Sequence, residues 1–417
     1  MEQKERRVAG IDVHKSMLAV VVRREKDGKA EYNSRNFGAT TAEIAHLAAW
    51  LSSEGATEVA MESTAQYWRP VWHGLEAHFK LHLCHPLKVK APRGRKHDFG
   101  DARRLADRWW SGDLEDSFVP GAEQRQWRLM TRTRVQIKRK KGVVRNQVEG
   151  LLEHGGIKLS AVASDLFGAS GLAMLKLVAD GKTDPEVLLG AARGQLRKKA
   201  AQLREALAGG LDEYGRMLLR QGLEQVEQLR KHLAEINTAL AKAMAPYTAT
   251  LLRLSKVPGV NLYAAQELVA EIGPAAASFA SPEQFTSWAG ICPGRQESAG
   301  VNHSTRSPKG SPHLKRLFNQ IAWAAIHTKD CFFAALYGKL KARKDNKEKK
   351  AAWAVAHRIA RLVWLMLHEG VEYHEKGPSP LDPRKLARKM RRAIRDCVRG
   401  GLDPMQFMDP LPGAVGG

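Results

Sequence analysis

Two short apolar runs stand near the start of the chain, the first broken by a single carboxylate, Asp12. Val8-Ala-Gly-Ile-Asp-Val13 and then Leu18 to Val22 read as the first two strands of a sheet, and Ala30 to Phe37 as a third. Thr40-Thr-Ala-Glu43 has capping-box spacing, and Ile44, Leu47, Ala48 and Leu51 mark one face of the helix that follows. Thr57 to Glu62 predicts a short buried strand. Gln66 to His78 predicts a helix capped by Ser63 or Thr64, and Leu81 to Cys84 a fifth strand closed by Pro86. The order is β-β-β-α-β-α-β.

From Gly121 to Tyr247 the pattern is helical and strongly charged, with loops at Gly155-Gly156 and Gly181 to Pro185. Val226, Leu229, Leu233, Ile236, Leu240 and Ala243 repeat at 3-4 spacing over about three heptads, which suits a helical hairpin or a coiled-coil dimer contact. Beyond Pro246 the turn Val257-Pro-Gly-Val260 precedes an apolar helix, Ala264 to Ile272, in the manner of a helix-hairpin-helix element whose amides meet a phosphate. A Gly/Pro-rich loop from Phe285 to Gly300 holds Ser298, and the remainder is again helical and basic. The expected domains are 1–118, an α/β domain with a mixed sheet; 119–248, an all-α linker with a coiled-coil segment; 249–375, a mainly α domain; and 376–417, a basic C-terminal extension.

Charge changes the picture more than size does. Lys and Arg number 67 against 44 Asp and Glu, a net charge of +23, which points to nucleic acid as partner. The candidate contacts are Lys88, Lys90, Arg93, Arg95 and Lys96; Lys138, Arg139 and Lys140; and Arg295, Arg306, Lys309 and Arg316. Some of these are ordinary solvated faces. The four cysteines lie far apart without metal-ligand spacing, so neither a disulfide framework nor a zinc site is expected. Neither an apolar run of membrane-spanning length nor a secretory leader is visible. The expectation is a cytoplasmic protein, associated with the nucleoid when bound to DNA, and no membrane partner.

The chemistry rests on acids. Asp12 sits inside an apolar strand, where a carboxylate is costly unless paired, hydrogen-bonded or metal-bound, and Glu62 ends a second strand in the same way. Asp98 and Asp101 are three apart, so a helix puts both on one face. Singly, each has a plain alternative: a turn cap for Asp12, a charge favoured by a helix N-terminus for Glu62, and a solvated face for the pair. The strand and helix order matches the ribonuclease H-like arrangement, in which metal-binding acids sit at strand ends and on a late helix. Ser298 lies in a loop rimmed by basic groups, but the residues alone do not prefer it to Ser304 or Ser307. His14, His97 and His303 are read as structural.

Four pieces in order carry a resemblance: Gly-Ile-Asp-Val-His-Lys around Asp12, Met-Glu-Ser-Thr around Glu62, Asp98-x-x-Asp101-Ala-x-x-Leu, and Trp-Ala-Gly-x-x-Pro-x-x-x-x-Ser-Ala-Gly around Ser298. Over roughly residues 7–335 the chain resembles the DEDD insertion-sequence transposases, the bridge-RNA-guided serine recombinases. Many relatives read Ser-Gly or Ser-Ser-Gly where this chain has Ser298-Ala299-Gly300. The resemblance implies a RuvC-like N-terminal domain, a dimerising helical linker and a C-terminal transposase domain. It also implies a catalytic set of Asp12, Glu62, Asp98, Asp101 and Ser298, with the four acids holding Mg²⁺ (or Mn²⁺). The implied partners are double-stranded donor and target DNA, a structured guide RNA that pairs with both, and further copies of the chain, a dimer assembling to a tetramer. Two rival readings remain: a hydrolytic junction-resolving nuclease of the same fold, and a non-enzymatic nucleic-acid binder.

Overall fold

The computed structural model describes residues 6–63, 65–84, 98–294, 307–343 and 348–377, the backbone of 296–298 and 301–304, and helical residues between 391 and 400. The chain divides into two compact units, Met1–Gly121 and Ala122–Gly417.

In the first unit β1 (Val8–Val13), β2 (Met17–Lys26), β3 (Lys29–Gly38), β4 (Glu58–Glu62) and β5 (Lys80–Cys84) form one sheet in the order β3-β2-β1-β4-β5. β1, β2 and β3 pair antiparallel as a meander, whereas β4 and β5 add in parallel beside β1. This is the mixed ribonuclease H-like sheet expected from the element order. The parallel additions need crossovers, supplied by α1 (Thr41–Ser53) and α2 (Trp68–Leu75). Thr40 caps α1 by accepting from the Glu43 amide at 3.3 Å, and Glu43 accepts from Gly38 N at 3.2 Å rather than from the cap residue's own N–H. Of the two residues expected to cap the second helix, Thr64 lies outside the described residues. α2 begins at Trp68, later than Gln66, with Tyr67 at its cap and no side-chain bond, while the Ser63 amide donates to Cys84 O.

A third helix, α3 (Asp98–Trp110), lies on the opposite face of the sheet from α1 and α2. Its far end is anchored: Trp109 stacks on buried His82 at 3.8 Å and donates to Glu58 Oε2 at 3.0 Å, and Asp107 accepts from Tyr32 Oη at 2.8 Å. His82 is also held by Asp116, Nδ1 to Oδ2 at 2.9 Å.

The second unit is helical. α4 (Ala122–His154) and α9 (Glu213–Ala243) run along each other as a hairpin roughly 50 Å long. Between them come α5 (Leu159–Val162), α6 (Ala169–Ala179), α7 (Pro185–Gly190), a 3₁₀ turn and α8 (Ala200–Ala206), which build a core at the hairpin tip around Phe167, Met174, Leu203 and Leu219. Val226, Leu233 and Leu240 of the 3-4 pattern are buried within this one chain, so the helical hairpin uses the seam internally. At the hairpin base Trp127, Leu240 and Met244 enter the largest core. They join α10 (Thr248–Ser255), α11 (Leu262–Ile272), α12 (Pro282–Ala289), α13 (Pro312–Ile326), α14 (Phe332–Lys341) and α15 (Glu348–His368).

From Ala265 to Ile272 α11 is buried on every side, and its polar residues are matched by arginines. Arg134, fully buried, donates to Gln266 Oε1 at 2.6 Å and Tyr263 O at 2.8 Å. Arg132 holds Glu271 bidentately at 2.8 Å twice, and Arg316 reaches Glu267 at 2.5 Å. Arg132 and Arg134, just ahead of Lys138, Arg139 and Lys140, are therefore internal structure.

Candidate active site

Strand parity assembles the site. Ala9, Ile11 and Val13 enter the core shared with α1 and α2, so Gly10 and Asp12 face the other side, where α3 lies. In β4, Val59 and Met61 enter the first core and Ala60 the second, which puts Glu62 on the α3 face as well. Gly10 is the reason α3 can come so close. A Cβ there would stand 2.1 Å from Ala102 O and 2.7 Å from Ala106 N, both α3 backbone atoms. Asp98 is one turn before Ala102, at the helix N-terminus, and is thereby delivered to the end of β1.

His14 Nε2 lies 3.2 Å from Asp12 Oδ2 and 3.7 Å from Asp98 Oδ1. One ligand atom of each of the three residues falls within 4.8 Å of the others. The β1–β4 register pairs Ile11 with Met61, which brings Glu62 alongside Asp12. Burial pushes the Asp12 carboxyl above its ordinary range; His14 opposes this, and the charges of Asp98 and Glu62 add to it. Asp12 is better shielded than Asp98, its side chain 17% exposed against 49%, and Glu62, outside the group of three but close enough to act on Asp12 by charge, is half-buried as well. Crowded negative charge offering oxygen donors fits a divalent cation, which would relieve that repulsion. Cys84, paired with Glu62 across β4 and β5, is pushed up to about 12 by burial and by the charges of Asp116 and Glu62, so it stays a neutral thiol.

Asp101 shares the helix with Asp98 but is engaged by Arg104 one turn on, outside the group of three. His14 was missed by sequence reasoning. The available signal was parity: two residues beyond Asp12, it projects to the same face.

A transposase family model matches residues 9–155, and the model for the transposase IS116/IS110/IS902 family matches residues 251–337. The chain belongs to the IS110 family of DEDD transposases. The two matches fall in the expected order: the first spans the first unit, runs on into α4 of the second and contains every acid of the site, and the second lies within the second unit. Among solved structures this transposase is similar to RuvC from Thermus thermophilus, 16% identical over 27% of this chain and 99% of that one, with a TM-score of 0.23. It is also similar to T. thermophilus RuvC in complex with Holliday junction substrate, 16% identical over the same shares, with a TM-score of 0.22. No curated protein matches the chain.

In the second unit of the transposase, Ser298 ends β6 (Gln296–Ser298), paired with Val301 of β7 (Val301–Ser304). Its side chain lies outside the described residues, as do Arg295 and Arg306, and as do Lys88, Lys90, Arg93, Arg95 and Lys96 in the first unit. The base of this hairpin is tightly built: Gly290, at φ 71°, packs against Gly310, and Lys315 Nζ donates to Pro308 O at 2.5 Å. Lys138, Arg139, Lys140 and Lys309 are exposed, whereas Arg316 is committed to Glu267 and Gln320. Among the described residues, no helix is long and apolar enough to cross a membrane.

Proposed function

We propose that this transposase cuts and rejoins DNA by serine chemistry, directed by a guide RNA that pairs with donor and target DNA. The observation that carries the reading is the convergence of Asp12, Glu62 and Asp98 on one face at the end of the sheet. A divalent cation, Mg²⁺ or Mn²⁺, held by these carboxylates and Asp101 would neutralise charge on the scissile phosphate. Ser298 Oγ attacks phosphorus, the bond to the 3′ oxygen breaks, and the serine proton passes to solvent or a carboxylate while the leaving oxygen is protonated. The products are a phosphoserine linkage and a free 3′-hydroxyl. Attack by a 3′-hydroxyl on that linkage then rejoins strands without an external energy source. Arg295, Arg306 and Lys309 stabilise the charge that develops.

The acids of one protomer act with Ser298 of another, in a dimer that assembles to a tetramer on nucleoid DNA. Guide pairing reads sequence, so the protein's excess of positive charge, including exposed Lys138, Arg139 and Lys140, serves backbone and shape contacts with nucleic acid.

The test uses purified protein, divalent metal, RNA from the element's own end and labelled donor DNA on a denaturing gel. Slowly migrating protein-bound strands are expected that require Asp12, Ser298 and the RNA. Cut strands without adducts, dependent on Asp12 and indifferent to Ser298→Ala, would make the protein a hydrolytic nuclease instead. No cutting at all would leave a nucleic-acid binder.

A further inference from the structure

We propose that His14 is a nitrogen ligand of the active-site cation, which makes this a mixed nitrogen and oxygen centre that binds Mn²⁺ in preference to Mg²⁺. The inference rests on the reading that the acids at the end of the sheet hold a cation. The residue is placed by the backbone: its amide donates to Met17 O at 3.0 Å across the tight β1–β2 connection, which fixes the turn that carries the ring. The ring lies on the same sheet face as Asp12. Its Nε2 is the atom turned to the carboxylates, 3.2 Å from Asp12 Oδ2 and 3.7 Å from Asp98 Oδ1.

Nε2 stands at hydrogen-bond distance from Asp12 Oδ2 and donates to it when it carries the proton. With the proton on Nδ1, a cation takes the place of that hydrogen, and the Nε2 lone pair and two carboxylate oxygens, all within 4.8 Å of one another, bound the space it would fill. Half of the His14 side chain is exposed, so its position is set by its polar contacts to Asp12 and Asp98 rather than by packing. Donor chemistry then sets the metal. Mg²⁺ favours all-oxygen octahedra and keeps its waters, whereas imidazole nitrogen raises affinity for transition metals along the series that begins with Mn²⁺. An all-carboxylate centre lacks this bias.

The test is direct binding by the full-length protein without nucleic acid. Free Mn²⁺ is followed by its EPR signal, Mg²⁺ affinity by competition, and nitrogen coordination by pulsed EPR of bound Mn²⁺ with and without ¹⁵N-histidine labelling. Wild type should bind Mn²⁺ more tightly than Mg²⁺ and show histidine nitrogen coupling. His14→Ala should abolish that coupling and weaken Mn²⁺ at least about tenfold, with a smaller loss for Mg²⁺ and an unchanged circular dichroism spectrum.

Bound Mn²⁺ without histidine coupling in wild type, or with coupling that persists in His14→Ala, overturns the inference. So does unchanged Mn²⁺ affinity in His14→Ala. If Asp12→Ala still abolishes binding in those cases, the acids alone hold the cation and the proposed function stands. If Asp12→Ala binds Mn²⁺ as wild type does, or wild type binds none, both fall.

Discussion

Gly10 is a position where a single methyl group should separate fold from function. A Cβ at Gly10 would sit 2.1 Å from Ala102 O and 2.7 Å from Ala106 N. Both are backbone atoms of α3, so no rotamer change relieves the clash. Restoring ordinary van der Waals distance moves the helix away from β1 by about 1 Å, and overpacking of this kind costs roughly 1–3 kcal/mol. The same movement carries Asp98, one turn upstream, away from Asp12 and His14. A misplacement of about 1 Å at a catalytic centre can cost ~100-fold in rate. Gly10→Ala should therefore stay folded with a lowered melting temperature and lose about 100-fold in metal-dependent strand cutting, measured as single-turnover cleavage of donor DNA. Gly150→Ala is the control: it is exposed in the interior of α4 with open space around it, and should gain roughly 0.5–1 kcal/mol. If Gly10→Ala cuts DNA at the wild-type rate, the close approach of α3 does not set the site.

Other consequences are separable. Glu271→Ala leaves Arg132 and partly buried Arg128 without their carboxylate, a loss of about 3–5 kcal/mol in chemical denaturation followed by tryptophan fluorescence; less than about 1 kcal/mol would show that the network is not structural. Glu58 is held below its ordinary value of 4.5 even though burial opposes this, because bonds from Trp109 and Arg6 and the charges of Arg6 and His82 outweigh it. A depressed carboxylate contributes stability above its unfolded value and loses it as pH falls through the folded one. Denaturation midpoints should thus drop as pH falls below 4.5, and Glu58→Gln should flatten that limb. Leu219→Ala in the hairpin-tip core, at 0% exposure, should cost about 2–5 kcal/mol while DNA cutting by the folded fraction is retained; an unchanged denaturation midpoint would count against that core.

Much of the first unit was legible because its signals are local. The apolar run Val8–Val13, the cap at Thr40 and the acids at strand ends are properties of short stretches, and period-2 parity fixes which face Asp12 and Glu62 share. The glycine that admits α3 was present in the motif, but its reason was not visible, since the helix it contacts lies about ninety residues on. His14 was passed over because an isolated histidine carries no period of its own. It acquires meaning only when α3 brings Asp98 to it. In the second unit the 3-4 pattern of α9 was readable, but its partner could be another copy or another part of the same chain. α4 is that partner, about 90 residues away. Arg316 misled for a similar reason: a basic residue looks the same in sequence whether it faces phosphate or a buried glutamate on α11.

The most direct measurement is an anomalous difference map from crystals of the full-length transposase grown with Mn²⁺. A peak bounded by Asp12, His14 and Asp98, lost in Asp12→Ala crystals, is the predicted result. Density for Mn²⁺ only at other positions, with these three side chains unliganded, would contradict the assignment of the active site to the end of this sheet.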